Sequence, residues 1–150
     1  MKPRTRARGI ALQALYEIDL VGHPPGEVIK NRLDDSDLDE RLERFIQQIV
    51  VGVWPLRESL DSFIAEHAPE WPIDQVAIID RNILRIALWE FGVQGDTPLK
   101  VAINEAVELA KLFGSDSAPR FVNGVLGSLA PRYHEIRQSL QSLTVEQKNK

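Results

Sequence analysis

The stretch that most constrains the fold is residues 76–91, VAIIDRNILRIALWEF. On a helix with 3.6 residues per turn, its only broad polar strip consists of Arg81, Asn82 and Arg85. Most of the remaining circumference is apolar, and a helix that is apolar nearly all round belongs inside a bundle. The sequence therefore predicts a central helix around which the other segments pack.

Two acidic residues interrupt this apolar surface. Asp80 lies in the first turn, where a negative charge meets the positive end of the helix dipole. Glu90 lies in the last turn, where the dipole does not favour it. Because a buried carboxylate must be paired, we expect Glu90 to meet a basic group or backbone N–H donors of a neighbouring helix.

The N-terminal segment carries the opposite charge to the rest of the chain. The net charge is −4, yet Lys2, Arg4, Arg6 and Arg8 all precede the first acid, Glu17. Without these four residues, 14 basic residues stand against 22 acidic ones, which gives −8. A basic arm on an acidic body favours a local anion-binding site, and a solvated, frayed terminus is the alternative.

Apolar residues recur at helical spacing along the whole chain, and no segment alternates as a strand would. The fold class is predicted to be all-α, with about seven or eight helices in two small packed bundles that form one compact domain. The domain should span 1–145, with sub-bundles at about 4–70 and 73–143 and a disordered tail at 146–150.

Several local signals predict where these helices begin and end. The Trp54–Pro55 pair predicts a break, because a residue before proline is pushed out of the α region. Asp37 is the predicted cap of the helix that contains Phe45, and Gly114 is a predicted left-handed C-terminal cap. Gly124 and Gly127 weaken their helix, so we interpret them as allowing close packing by a neighbour.

A search for chemistry finds no catalytic or metal site. The chain has no cysteine, and its three histidines are scattered. An acidic run, Asp35-x-Asp37-x-Asp39, resembles a calcium loop, but Glu40 replaces the required glycine and Ile46 the bidentate glutamate. Glu105 and Glu108 are interpreted as a solvated helix face. The longest apolar run is too short to cross a bilayer, and we interpret the Arg-rich start as a core helix rather than a transit peptide.

Four segments together resemble the NusB family. They are VAINEAVELAKLFG at 101–114, RFVNGVLGSLA at 120–130, ILRIALWE at 83–90 and RTRARGIALQALYEID at 4–19. The match runs from Arg4 to about Ala130. The segment after Pro131 is longer than the family pattern, and its role is open.

The resemblance implies a bacterial, cytoplasmic protein with two helical bundles in one domain, and neither a catalytic step nor a cofactor. Members of the family act in transcription antitermination, notably of ribosomal RNA operons. They bind the boxA sequence of nascent single-stranded RNA together with the ribosomal protein NusE, and the complex joins RNA polymerase with NusA and NusG. Some relatives form homodimers, so the oligomeric state is open.

The resemblance also assigns candidate residues. Arg4, Arg6 and Arg8 can neutralise phosphates, and an exposed aromatic ring can stack on a base. The predicted partner-binding residue, facing NusE, is Asp80. The predicted RNA-binding set is Lys2, Arg4, Arg6, Arg8, Gln13, Tyr16, Lys100, Phe121 and Asn123.

Other interpretations stay open at this stage. Phe121 lies on the apolar stripe of its helix, so core packing is an alternative to stacking. Ser117 stands where some relatives carry an acid, so no charged contact is expected there. The same helical module occurs fused to an RNA cytosine methyltransferase, but 150 residues leave no room for that catalytic domain. A protein-binding or ribosome-assembly module without sequence-specific RNA binding is the remaining alternative.

Overall fold

The computed structural model describes residues 1–68 and 72–148 of the chain. These residues contain no strand, and the predicted all-α class is confirmed. None of their helices has the length and apolar character that crossing a membrane demands. They form seven α-helices: α1 (Pro3–Val21), α2 (Pro25–Asp34), α3 (Glu40–His67), α4 (Ile78–Trp89), α5 (Leu99–Phe113), α6 (Ala118–Leu129) and α7 (Tyr133–Lys148).

Helix α4 is central, as its sequence predicts. It packs against α1, α3, α5 and α6, and its side chains Ile83, Leu84 and Leu88 are fully buried. It continues into a π-helix, Glu90–Gln94, which Gly95 ends with φ +79° and a hydrogen bond from its N–H to the Glu90 carbonyl oxygen. One apolar core draws residues from all seven helices. The division into two sub-bundles stays a prediction, and its boundary at about residues 70–73 lies partly outside the described residues.

Asn82 and Arg85 of the polar strip of α4 are buried, and Arg81 is half-buried. Arg85, only 3% exposed, donates from Nε and Nη2 to the two carboxylate oxygens of Asp61 in α3, at 2.7 and 2.6 Å. Its Nη1 donates to Asp19 in α1 at 2.8 Å. Burial alone would raise the pKa of Asp19, but the charge of Arg85 and the hydrogen bond from Asn82 lower it overall. One guanidinium therefore ties three helices together.

The break predicted at Trp54–Pro55 is wrong, because α3 runs through Pro55 without interruption. Proline removes one hydrogen bond from the helix, the one that the carbonyl of residue 51 would accept. Val51 and Pro55 are both exposed, so water can reach that carbonyl. Buried side chains on both sides of Pro55, among them Val53 and Leu56, pack the two halves onto one core.

Three further local predictions are corrected. Asp39, not Asp37, caps α3, since its side chain accepts a hydrogen bond from the Leu42 N–H at 3.0 Å. Gly114 ends α5 in an extended rather than a left-handed conformation. A Cβ there would lie 2.5 Å from the Ala118 Cβ, so the position needs glycine for lack of space and not for its backbone conformation. A Cβ added at Gly124 or Gly127 would meet no neighbouring atom of the described residues within 4 Å, so neither glycine is needed for close packing.

The end of the chain also differs from its prediction. Helix α7 runs to Lys148, into the tail that was predicted to be disordered from residue 146. Residues 149–150 lie outside the described part of the chain.

The close approach that glycine permits occurs instead between α3 and α4. A Cβ on Gly52 would overlap the indole ring of Trp89, which is 6% exposed. Gly52 therefore sets the distance between these two helices.

We expect Gly52→Ala to lower the free energy of unfolding by about 1–3 kcal/mol, because the added methyl overpacks a rigid buried ring. Gly124→Ala is the matched control, since the same change in an open helical position should stabilise by about 0.5–1 kcal/mol. Urea unfolding curves of both variants measure the two effects. Equal and small changes would contradict the assigned contact.

Candidate nucleic-acid interface

The arginines of the N-terminal arm, residues 2–8, do not share one environment. Helix α1 begins at Pro3, a favoured first helical position, with Lys2 as its N-terminal cap residue. Residues two apart on a helix lie on nearly opposite sides, so Arg6 points away from Arg4 and Arg8. Arg4 and Arg6 are exposed, whereas Arg8 is buried.

Arg8 is not the surface residue that the sequence analysis assumed. It is 4% exposed, and it donates from Nε and Nη2 to the two carboxylate oxygens of Glu90, at 2.9 and 2.8 Å. A bidentate pair of this kind is the strongest geometry available to an arginine. The prediction that Glu90 is paired is confirmed, and of its two predicted kinds of partner the basic group is the one found. Arg8 has almost no surface left to offer a phosphate.

Neighbouring groups complete the pair. Thr97 donates its hydroxyl to Glu90 Oε1 at 3.0 Å, and Arg8 Nη1 lies 3.4 Å from Glu105 Oε2. Thr5 donates to the same Glu105 oxygen at 2.9 Å. The interpretation of Glu105 as solvated is therefore wrong. It holds for Glu108, which is half-exposed and lies 3.9 Å from Lys111.

The two exposed arginines of the arm, Arg4 and Arg6, line two different grooves. The first, about 390 Å³, lies between the start of α1 and the start of α5, and Lys2, Arg4, Asp96 and Val101 line it. The Arg4 guanidinium stacks over the Phe45 ring, 4.1 Å from its centroid. The second, about 330 Å³, brings Arg6 and Gln13 together with Arg32 and Phe113. Arg6 also meets the exposed carboxylate of Asp37 at 3.0 Å.

A third cleft, about 430 Å³, brings Phe121 and Asp80 together. Phe121 is half-buried at the start of α6, packed against the core on one side while it lines the cleft on the other. Arg120 and Ser117 lie on the same wall. The structure thus gives Phe121 both environments that the sequence left as alternatives.

Asp80 lines this cleft and is 9% exposed, and its Oδ1 has no hydrogen-bond partner among the described residues. Burial raises the pKa of its carboxyl group above the ordinary range. It lies in the first turn of α4, where the dipole favours it, but it remains a group in need of a donor.

The remaining candidates lie outside these three clefts. Tyr16 is half-buried on α1, while Lys100 and Asn123 are exposed on α5 and α6. Sequence reasoning missed Phe45 and Arg120. Arg120 directly precedes Phe121 in RFVNG, so its position beside a candidate aromatic residue was a usable signal. Nothing in the sequence pairs Arg4 with Phe45.

Comparison with known proteins decides the family. The sequence model of the NusB family matches residues 5–131. The chain belongs to the NusB family. All candidate residues except Lys2 and Arg4 fall inside the matched range, and α7 falls outside it.

Individual NusB relatives agree along most of their length. The chain is similar to transcription antitermination protein NusB of Roseiflexus castenholzii, with 50% identity over 88% of this chain and 94% of the relative. It is 44% identical to the Bacillus subtilis protein of the same name, over 86% and 95%. A NusB structure from T. maritima has a TM-score of 0.77, 26% identity and 92% coverage of both chains. A structure described as antitermination factors NusB and NusE in complex with dsRNA has a TM-score of 0.76 and 27% identity, and the match covers 93% and 98% of the two chains.

The buried pair gives a prediction that reverses the surface assumption. Arg8→Ala leaves Glu90 as a buried and unpaired charge, so we expect a loss of about 3–5 kcal/mol in the free energy of unfolding. Arg4→Ala and Arg6→Ala should each cost less than about 1 kcal/mol. The double variant Arg8→Ala/Glu90→Gln should recover part of the loss. A loss for Arg8→Ala as small as for Arg4→Ala in urea unfolding would contradict the pairing.

The raised pKa of Asp80 predicts how stability changes with pH. The folded state binds this proton more tightly than the unfolded state, so stability falls as pH rises from the unfolded pKa through the higher folded pKa. Asp80→Asn lacks this loss. We expect its melting temperature to exceed that of the wild type at neutral pH and the difference to vanish below about pH 4.

Thermal melts across this pH range measure the effect of Asp80, and Asp74→Asn is the exposed control. Parallel pH profiles for Asp80→Asn and the wild type would show that Asp80 titrates alike in both states.

Proposed function

We propose that this chain is a transcription antitermination factor that binds boxA RNA together with NusE and joins RNA polymerase with NusA and NusG. The observation that carries the proposal is the exposed basic arm of a NusB-family chain whose net charge is −4. The name of its relatives and the NusB–NusE complex with RNA among similar structures support it. The chain then acts in the cytoplasm by binding, without a catalytic step or cofactor.

Charge brings the RNA to one part of the surface. Lys2, Arg4 and Arg6 are exposed. Lys100 is exposed too, and in the sequence it lies between Pro98 and Val101, which line the same groove as Lys2 and Arg4. The rest of the protein is acidic and repels phosphates, so the basic arm is the part of the surface that attracts them. Arg8 contributes indirectly by fixing α1.

Aromatic and amide groups would then read the strand. Single-stranded RNA is recognised by stacking on aromatic faces and by hydrogen bonds to base edges. Phe121 offers one ring side to the cleft, and the half-buried Gln13 and the exposed Asn123 offer amides. In this proposal Tyr16 and Phe121 supply stacking, and Lys100 supplies a further phosphate contact.

Asp80 is proposed to contact NusE. A carboxylate oxygen that lacks a hydrogen-bond donor and belongs to a residue lining an open cleft suits a cationic or N–H group from a partner. The NusE contact would supply that donor and would satisfy the oxygen that the chain alone leaves unpaired.

The experiment is a boxA RNA titration, with and without NusE, at several salt concentrations. Arg4→Ala/Arg6→Ala should weaken binding and reduce the log–log salt slope by about 0.7 for each lost contact with a single strand. Lys30→Ala/Lys111→Ala removes two exposed cations outside the arm and should leave the slope unchanged. Phe121→Leu should reduce affinity at every salt concentration without changing the slope.

The oligomeric state is measured on the same samples, since a homodimer could cover part of this surface. An unchanged slope for Arg4→Ala/Arg6→Ala would contradict phosphate contacts by the arm. Binding to NusE without any preference for boxA over a scrambled RNA would instead favour the protein-binding module.

A further inference from the structure

Helix α7 stands apart from the rest of the fold in two ways. It lies entirely beyond residue 131, where the NusB family match ends. It also packs mainly on one short element, the π-helix Glu90–Gln94, rather than across the bundle. The π-helix is therefore the element whose shape α7 can influence most directly.

Three contacts join α7 to the π-helix and its cap. The Tyr133 ring lies 5.9 Å from the ring of Phe91, measured between centroids. Leu140 is fully buried over Gly92, where a Cβ would lie 2.8 Å from its Cδ1. Arg137 lies across Gly95, and its Nη1 donates to the Tyr133 hydroxyl at 2.7 Å. Both glycines leave room that α7 side chains fill.

The covered element holds the partner of Arg8. Glu90 is the first residue of the π-helix, two residues before Gly92, and both its carboxylate oxygens accept from Arg8. Thr97, just beyond the Gly95 cap, donates to the same carboxylate. A π-helix is a rare and weakly favoured turn, so its shape depends on what packs against it.

We propose that α7 is a brace that positions the RNA-binding arm, and that Leu140 and Arg137 are its positioning residues. They hold the π-helix, the π-helix holds Glu90, and Glu90 fixes Arg8 and with it the rotation of α1 that leaves Arg4 and Arg6 exposed. The effect on RNA rests on the proposed function, whereas the link from α7 to Arg8 does not.

The test uses the full chain and follows the Arg8 Nε–H directly by NMR. This proton is buried and bonded to Glu90, so it should exchange slowly with water. We expect Leu140→Ala to speed its exchange by about tenfold through local opening of the π-helix. Arg137→Ala, a change at a half-buried position that leaves the core intact, should speed it by about threefold.

Leu60→Ala is the matched control, because it also truncates a fully buried leucine. Leu60 is next to Asp61, which accepts a hydrogen bond from Arg85. Arg85 also donates to Asp19, and Asp19 is 11 residues from Arg8 along α1, so Leu60 lies near a different polar cluster from the one that holds Arg8. This control should lower the melting temperature but leave the Arg8 exchange at its wild-type rate. A purely stabilising α7 would give Leu140→Ala and Leu60→Ala the same behaviour, which would overturn the proposal.

The RNA titration separates the two claims. Faster Arg8 exchange together with weaker boxA binding by folded Leu140→Ala supports the brace and its effect on RNA. Faster exchange with unchanged boxA binding supports the brace and contradicts the phosphate contacts of the arm. Wild-type Arg8 exchange in both Leu140→Ala and Arg137→Ala overturns the brace.

Discussion

The buried pair between Arg8 and Glu90 is the interaction on which the rest of the molecule depends. It places a full positive charge from α1 against the end of α4, in a region where an unpaired charge would be prohibitive. Two parallel hydrogen bonds fix both the distance and the rotation of the helices, which apolar packing alone would leave less specific. Thr97 then uses a further acceptor site of the carboxylate.

The exposed part of the interface follows from that fixed rotation. With Arg8 held inward, Arg6 turns to the opposite side of α1, and Arg4 lies over Phe45 at the rim. Three clefts mark this part of the surface. Two hold the exposed cations of the arm, and the third combines the Phe121 ring and Arg120 with the unsatisfied carboxylate of Asp80.

Sequence reasoning succeeded where periodicity carries the information. The apolar circumference of α4 predicted its central place, and the position of Glu90 predicted that it is paired, with a basic group or with backbone N–H donors. It failed where burial depends on tertiary contacts: Arg8 reads no differently from Arg4 and Arg6 in a run of alternating arginines. The helix break predicted at Pro55 was wrong for a related reason, since the packing of buried side chains on both sides of it outweighs one lost hydrogen bond. The glycines in contact with other helices, such as Gly52, look no different in sequence from the open Gly124.

The uninterrupted α3 has a consequence for how the protein unfolds. A single helix of 28 residues, which lies wholly inside the first predicted sub-bundle, packs against α1 of that sub-bundle and against α4 and α6 of the second. The two predicted sub-bundles cannot separate without exposing the buried side chains of α3. The chain should therefore lose its structure in one cooperative transition, with no partly folded state in which one bundle survives alone.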